Sequence, residues 1–474
     1  MSDEYINLET EVSKSLIFKV IKIIFGFFSI IIISRFLSLS LLGQYFIAIT
    51  FIEVVNQVCS GLDAAVQKRC SEEGGKSGEI LTVSIGIYVA YLVILFPILY
   101  FTKDFLFEII SIETHLFLPI YLGIATLGIF RISNNYLSGI GFPGRSVAIV
   151  AGKNFMAFVL HTSFLLLGLG VYYLVLTEFI VAAIASLIIL LHKRPRIAIG
   201  YDTIKDVIEF SKWSVPNSIL SILTHRIDVF VLAIFIGASS VGIYQAAYKI
   251  FLPTIMIATS FSSPLVVKIS NLHSKGLEFK SQVNKVLSYA GLLPIPLLFG
   301  SILLRDRIMV LLYGFKFVDT GLIVVLISLY VLISVYRRQF MSILYGIDKP
   351  QAVFKIQTLY FLINTPLSIY GAIEFGIVGV IIMTMISEVI TLGLYYYLQK
   401  ENIGGYTFKS ISKQIYSSMI MSLVLIPLVF LIPATPTFYT IPIVILGGII
   451  YIVSLSKLLP EFRNLVYRQL RKVK

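Results

Sequence analysis

Fourteen long apolar stretches joined by short polar ones constrain this chain more than any other feature. They fall at about 16–36, 41–61, 80–101, 116–138, 146–168, 171–191, 213–236, 241–267, 286–303, 321–345, 351–372, 376–398, 414–432 and 438–457. Each approaches the roughly 20 residues that a helix needs to cross a bilayer core. In hydrocarbon every backbone N–H and C=O must be bonded internally, and these runs lack the alternation of barrel strands, so helices are expected. With 57% hydrophobic and 13% charged residues, the chain reads as an all-α polytopic membrane protein. Its loops are too short for an appended soluble domain. The first run follows Asp3, Glu4, Glu9 and Glu11 and lacks a cleavage pattern, so it is read as a span and not a signal peptide. Cys59 and Cys70 are read as free thiols.

A net charge of +13 invites a nucleic-acid reading, but the placement of the charge argues against it. With both termini on one side, twenty-four of the 38 Lys and Arg lie in loops and tails on that side and five on the other. The positive-inside rule makes the basic side cytoplasmic, with an even number of spans and both termini inside. Most of the net charge is therefore topology, and no nucleic-acid partner is expected.

The remaining nine cations fall within the spans, against four acids: Glu53, Glu178, Asp228 and Glu388. Intramembrane charge is costly and marks functional sites, so the surplus suggests a water-filled cavity that receives an anion. Lys19, Lys22 and Lys355 lie near span ends and are expected to snorkel to the headgroups. The deeper set is Arg131, Lys153, Arg226, Lys249, Arg337 and Arg338. Arg337 and Arg338 point about 100° apart on a helix, so both do not face one lumen. In span 7, Asn217, Ser221, Thr224 and Asp228 step by four, three and four, sharing a face expected to line the cavity. That face is alternatively an interhelical hydrogen-bond strip. Arg226 points nearly opposite Asp228 and needs a separate partner. Glu53, with Asn56, Gln57 and Ser60 around one side of span 2, is either a proton or sodium site or the counter-ion of a buried cation. Glu178 and Glu388 are candidate counter-ions, and His161 and His225 are read as satisfied polar residues.

The two halves resemble each other. Phe36–Tyr45 (FLSLSLLGQY) aligns with Phe235–Tyr244 (FIGASSVGIY), each in the turn after an odd-numbered span. Arg131 through Gly141, followed by Pro143, corresponds loosely to Arg337 through Gly346, followed by Pro350. An offset of about six spans gives repeats of the same orientation, related by an axis along the membrane normal. The expected organisation is two pseudo-symmetric six-helix lobes, 1–200 and 201–400, and a third segment, 401–474, holding two extra helices and a basic tail. The stretch 192–212 separates the lobes, and its second half is expected to form a short amphipathic helix at the interface.

No Walker A motif, dinucleotide fingerprint or His/Cys metal set occurs, so no enzyme activity and no cofactor is expected. Any energy source would be an ion gradient, the membrane potential or the substrate gradient.

One set of residues resembles the MOP superfamily, specifically its Wzx-type O-antigen and polysaccharide flippases. It comprises Ser34-Arg35-Phe36-Leu37 with Leu42-Gly43-Gln44-Tyr45; Gly61-Leu62-Asp63; Pro216-Asn217; Arg226-Ile227-Asp228; Val241 through Lys249; Tyr313-Gly314; and Phe375 through Gly379. The resemblance runs from span 1 to span 12. Where the family more often has a Gly-Pro-type turn, this chain has Ser38-Leu39-Ser40-Leu41. The resemblance implies two six-helix lobes plus two C-terminal helices and alternating access in the bacterial cytoplasmic (inner) membrane. It implies transfer of an undecaprenyl-pyrophosphate-linked oligosaccharide to the outer leaflet, with membrane lipids and a polysaccharide polymerase as partners. The cationic set Arg131, Lys153, Arg226, Lys249, Arg337 and Arg338 would meet the headgroup. Glu53 and Asp228 would serve coupling or gating, and Asn217, Ser221 and Thr224 the polar lining. A lipid II flippase, a multidrug antiporter of the same superfamily and a non-transporting scaffold for polysaccharide synthesis are the alternatives.

Overall fold

A computed structural model describes residues 8–72, 76–193, 195, 197–433, 437–460 and 462–463. The side chains of residues 8–14, Leu16, Trp213, Asn217 and Phe261 also lie outside the described set, as do Asp3, Glu4, Arg194, Arg196 and the tail cations from Arg468 to Lys474. Among the described residues there are helices and no strands. In chain order they are α1 (Leu8–Phe36), α2 (Leu39–Val55), α3 (Cys59–Glu72), α4 (Ser77–Ile109), α5 (Phe117–Gly139), α6 (Pro143–Leu166), α7 (Val171–Lys193) and α8 (Tyr201–Phe235). Then come α9 (Ala238–Ser274), α10 (Lys280–Ala290), α11 (Pro294–Tyr313), α12 (Gly321–Gly346), α13 (Pro350–Gln399), α14 (Gly405–Leu431) and α15 (Thr440–Leu458).

Thirteen helical stretches among the described residues are long and apolar enough to cross a membrane. One of them accounts for two crossings. α13 has 50 residues, about 75 Å if straight and far longer than a bilayer is thick. It breaks at Gly376, whose φ of 61° and ψ of −146° belong to a region that only glycine occupies readily. A Cβ on Gly371 would overlap the Gly379 carbonyl and the reverse also holds, so the chain doubles back there. The two arms correspond to the apolar stretches expected at 351–372 and 376–398, and the count returns to fourteen. Two boundaries differ from expectation. Span 2 continues through α3 to Glu72, and α8 runs unbroken from Tyr201, absorbing the short interfacial helix expected before residue 213.

The chain packs as two compact units, Met1–Gly242 and Ile243–Lys474. The first ends there because α8 packs on α2, α3 and α4; within it α1 lies on α6 and α5 on α7. Small residues permit close approach. A Cβ on Gly61 would meet Val215 and Ser214 of α8, for example. In the second unit α12 packs on α11 and α13, and α14 on α10, α11 and α15. A core of Val283, Leu287, Phe340, Ile343, Leu344, Val353 and Tyr395 joins α10, α12 and both arms of α13. Lobes at 1–200 and 201–400 remain a proposal about internal duplication.

The two turns at Phe36–Tyr45 and Phe235–Tyr244 meet. Ser38 caps α2, its Oγ accepting from Leu41 N at 3.3 Å, which supplies local order where a Gly-Pro turn is more usual. Gly43 then lies against the Ala238 carbonyl and Gly242 against the Leu39 carbonyl, so each glycine seats the start of the other helix.

Candidate functional site

Span 2 breaks near its middle. α2 ends at Val55, a single 3₁₀ turn covers Asn56–Val58, and α3 begins at Cys59. Such a break frees backbone carbonyls, which at membrane depth must find other donors. Tyr91 Oη donates to Val55 O at 3.1 Å, Arg131 Nη1 to Asn56 O at 3.2 Å, and Ser60 Oγ to Gln57 O at 2.7 Å. Asn56, fully buried, donates through Nδ2 to Ile52 O at 3.0 Å. Tyr88 Oη lies 2.8 Å from Asn56 Oδ1 and 2.7 Å from Ile124 O. The Tyr88 ring occupies the space that a Cβ on residue 128 would need, so that position is glycine.

Two arginines flank this break, each tied to a carboxylate of span 2. Arg131 of α5 places Nε 2.8 Å and Nη2 2.6 Å from the same oxygen, Oδ2 of Asp63. The other oxygen, Asp63 Oδ1, is buried without a hydrogen-bond partner. Arg226 of α8 meets Glu53 Oε2 through Nη2 at 2.5 Å. The Arg131 and Asp63 side chains are 28% and 10% exposed, those of Arg226 and Glu53 22% and 37%. Asp63 is thus buried, while Arg131, Arg226 and Glu53 are partly exposed.

The other expected residues are distributed elsewhere. Lys153 of α6 pairs with Glu178 of α7 at 3.0 Å. His161 is satisfied, its Nδ1 2.7 Å from Ser29 Oγ and its Nε2 3.3 Å from Leu174 O. In the second unit Arg337 is sealed against Glu388, both side chains 1% exposed, with its guanidinium 5.0 Å from the Tyr360 ring centre. Arg338 is half-buried, with Nε 3.4 Å from Ser334 Oγ, and Lys249 is half-buried on α9. Thr224 and Asp228 are buried and Ser221 half-buried; the Thr224 hydroxyl donates to Leu220 O at 2.7 Å. The Asn217 side chain lies outside the described residues. Lys19 and Lys355 are exposed and Lys22 half-buried. Of the four intramembrane acids expected, Glu53, Glu178 and Glu388 each meet a cation, and Arg226 has its separate partner.

Asp63 is the residue the sequence reading missed as a charge partner. Apolar run length ends span 2 near residue 61, whereas the helix carries on and brings Asp63 beside Arg131. The available signal was Arg131 itself, an intramembrane cation lacking a partner of its own. Chemically, two partly exposed guanidiniums at membrane depth offer planar forks suited to phosphate oxygens. Among the described residues no cluster of three or more His, Cys, Asp and Glu could hold a metal.

Comparison with known proteins agrees with this architecture. Residues 32–322 match the family model described as polysaccharide biosynthesis protein. A segment of 172 residues is 33% identical to the probable flippase AglR of Haloferax volcanii, covering 35% of this chain and 36% of that one. Another of 231 residues is 21% identical to the lipopolysaccharide biosynthesis protein WzxC of Escherichia coli K12, covering 48% and 47%. The chain thus spans half or less of the length of these curated relatives. In fold it is similar to the lipid II flippase MurJ in an inward closed conformation, with TM-score 0.80 and 18% identity over 96% of this chain and 99% of that one. The family match covers more than half the chain and the fold likeness nearly all of it, bearing out the expected resemblance to the Wzx-type branch of the MOP superfamily: this multi-pass membrane protein belongs to the polysaccharide biosynthesis protein family.

Proposed function

We propose that this protein is a flippase, not an enzyme, moving an undecaprenyl-pyrophosphate-linked oligosaccharide from the inner to the outer leaflet of the bacterial cytoplasmic membrane. The supporting observation is the pair of partly exposed guanidiniums, Arg131 and Arg226, beside the break in span 2. Arginine within a span is costly, about 3 kcal/mol at a helix centre on translocon-insertion scales, and marks functional sites, which favours an anionic ligand for two that stay partly exposed. Diphosphate oxygens suit their forks, while a polyprenyl tail can stay in lipid. AglR is named a probable flippase and WzxC a lipopolysaccharide biosynthesis protein, and this reading joins the two.

In this reading Arg131 and Arg226 make the main headgroup contacts, with Lys153, Lys249 and Arg338 contributing. Arg337, sealed on Glu388, holds helices together. Glu53 and Asp228 serve coupling or gating, and Asn217, Ser221 and Thr224 add polar lining. Alternating access through a cationic cavity, cytoplasmic termini and contact with a polysaccharide polymerase belong to the same proposal. Lipid II shares the diphosphate chemistry, so cargo choice rests on the sugar. An organic-cation antiporter would be poorly served by guanidiniums, which repel its cargo.

The test follows lipid-linked oligosaccharide in cells lacking the protein. Accumulation on the cytoplasmic face, relieved by the wild-type chain but not by Arg226→Ala or Asp228→Ala, is the expected result. Normal export, or full rescue by the neutral variants, would overturn the reading and favour a scaffold.

A further inference from the structure

We infer that Glu53 and Asp63 are resident counter-ions, and that a diphosphate diester takes their place on Arg226 and Arg131. The two carboxylates then set how tightly the site holds its anion and how readily it lets go. This deepens the flippase reading and rests on it.

Three features of the first unit carry the argument. The first is accessibility. Arg226 and Glu53 are 22% and 37% exposed, and Arg131 is 28% exposed against 10% for Asp63, so an anion would approach the Arg131 pair from the arginine side. The Arg337–Glu388 pair, at 1% and 1%, shows what a permanent pair looks like in the same chain. The second is geometry. A fork normally takes two oxygens at once, and that is the strong arrangement. Here both Arg131 nitrogens converge on Asp63 Oδ2 while Oδ1 is buried without a partner. Arg226 meets Glu53 through one nitrogen. Each guanidinium is neutralised, yet neither is held by two carboxylate oxygens. The third is placement. Glu53 lies one helical turn before Asn56, and Arg131 donates to Asn56 O, so both pairs border the same turn of span 2.

Charge explains why an exchange would serve transport. An empty site with two bare guanidiniums at membrane depth is unstable, and one that bound a diphosphate without competition would keep it. A diphosphate diester carries one negative charge per phosphate group, matching the two guanidiniums one for one. Once displaced, Glu53 and Asp63 remain nearby and compete to return, which speeds release. Removing either carboxylate should therefore tighten binding and slow turnover. A merely structural carboxylate would give weaker binding or less folded protein.

The experiment uses the full chain in lipid nanodiscs for binding and in liposomes for flipping. One probe is a short-chain polyprenyl diphosphate bearing a single N-acetylhexosamine; inorganic pyrophosphate is the tailless second. The expected result is about tenfold tighter binding of both probes by Glu53→Gln and by Asp63→Asn, the scale of a modest ion pair. Half-saturating cargo and maximal flipping rate should fall together. Glu53→Asp should behave much like the wild type, and Glu388→Gln should not tighten binding. Unchanged or weaker binding by folded Glu53→Gln overturns the exchange while leaving the flippase reading intact. Tightening confined to the tailed probe also overturns it, because the gain would then lie in lipid or sugar contacts. A wild-type protein that binds neither diphosphate overturns both.

Discussion

Arg131 of α5 in the first unit and Arg337 of α12 in the second each meet a carboxylate within their own unit. Their surroundings are opposite. Arg337 and Glu388 are sealed at 1% exposure each, and Tyr360 lies over the guanidinium. Arg131 is 28% exposed, both its contacting nitrogens share one oxygen of Asp63, and Arg226 and Glu53 beside it are 22% and 37% exposed. The second unit uses its ion pair to hold α12 against the far arm of α13. The first has its pairs beside a broken helix, with Arg131, Arg226 and Glu53 partly exposed. Residue type is alike, so burial and the neighbouring helix make the difference between the two pairs.

The comparison breaks most visibly at the sealed pair. Glu388→Ala leaves the Arg337 charge buried and unpaired, which costs about 3–5 kcal/mol. The expected outcome is a large fall in the thermal midpoint of purified protein, largely reversed by Arg337→Met with Glu388→Leu. A small fall would mean that the second unit's pair is not structural. Gly376→Ala comes next. It forces a side chain into a conformation costing about 1–3 kcal/mol and loosens the arm carrying Glu388. A lower midpoint with reduced protection of α13 from hydrogen exchange is expected. Arg226→Gln should be milder for the fold, within about 1 kcal/mol, because the Glu53 carboxylate it leaves behind is 37% exposed and not sealed. Flipping should nonetheless drop at least tenfold, and a variant that flips normally would erase the distinction between the units. Least affected is Lys355→Gln, an exposed span-end cation whose removal should leave both midpoint and flipping rate unchanged.

Most of the fold was legible because the bilayer simplifies the problem. Run length alone locates a membrane helix, since backbone groups have no other way to be satisfied. Even the fold-back inside α13 was visible as two apolar stretches divided around Phe375-Gly376, where a glycine can reverse the chain. The recurring Gly43 and Gly242 likewise marked turns whose close approach excludes a side chain. The candidate site was legible only in part. Arg131, Arg226 and Glu53 stood out because intramembrane charge is rare. Asp63 did not, because hydropathy ends a span where polarity rises, while the helix itself continues on hydrogen bonds that hydropathy does not register.

The sequence by itself determined the class of protein, the number of crossings, the charge asymmetry of the loops and the short inventory of charged residues within the spans. Those follow from transfer free energy and chain length, which are local properties. Tertiary structure alone decided which carboxylate meets which cation, and which pairs are sealed and which reachable. Arg131 and Asp63 are 68 residues apart, Arg226 and Glu53 173, and Arg337 and Glu388 51. Only helix packing brings such groups within hydrogen-bonding distance and sets how much water reaches them.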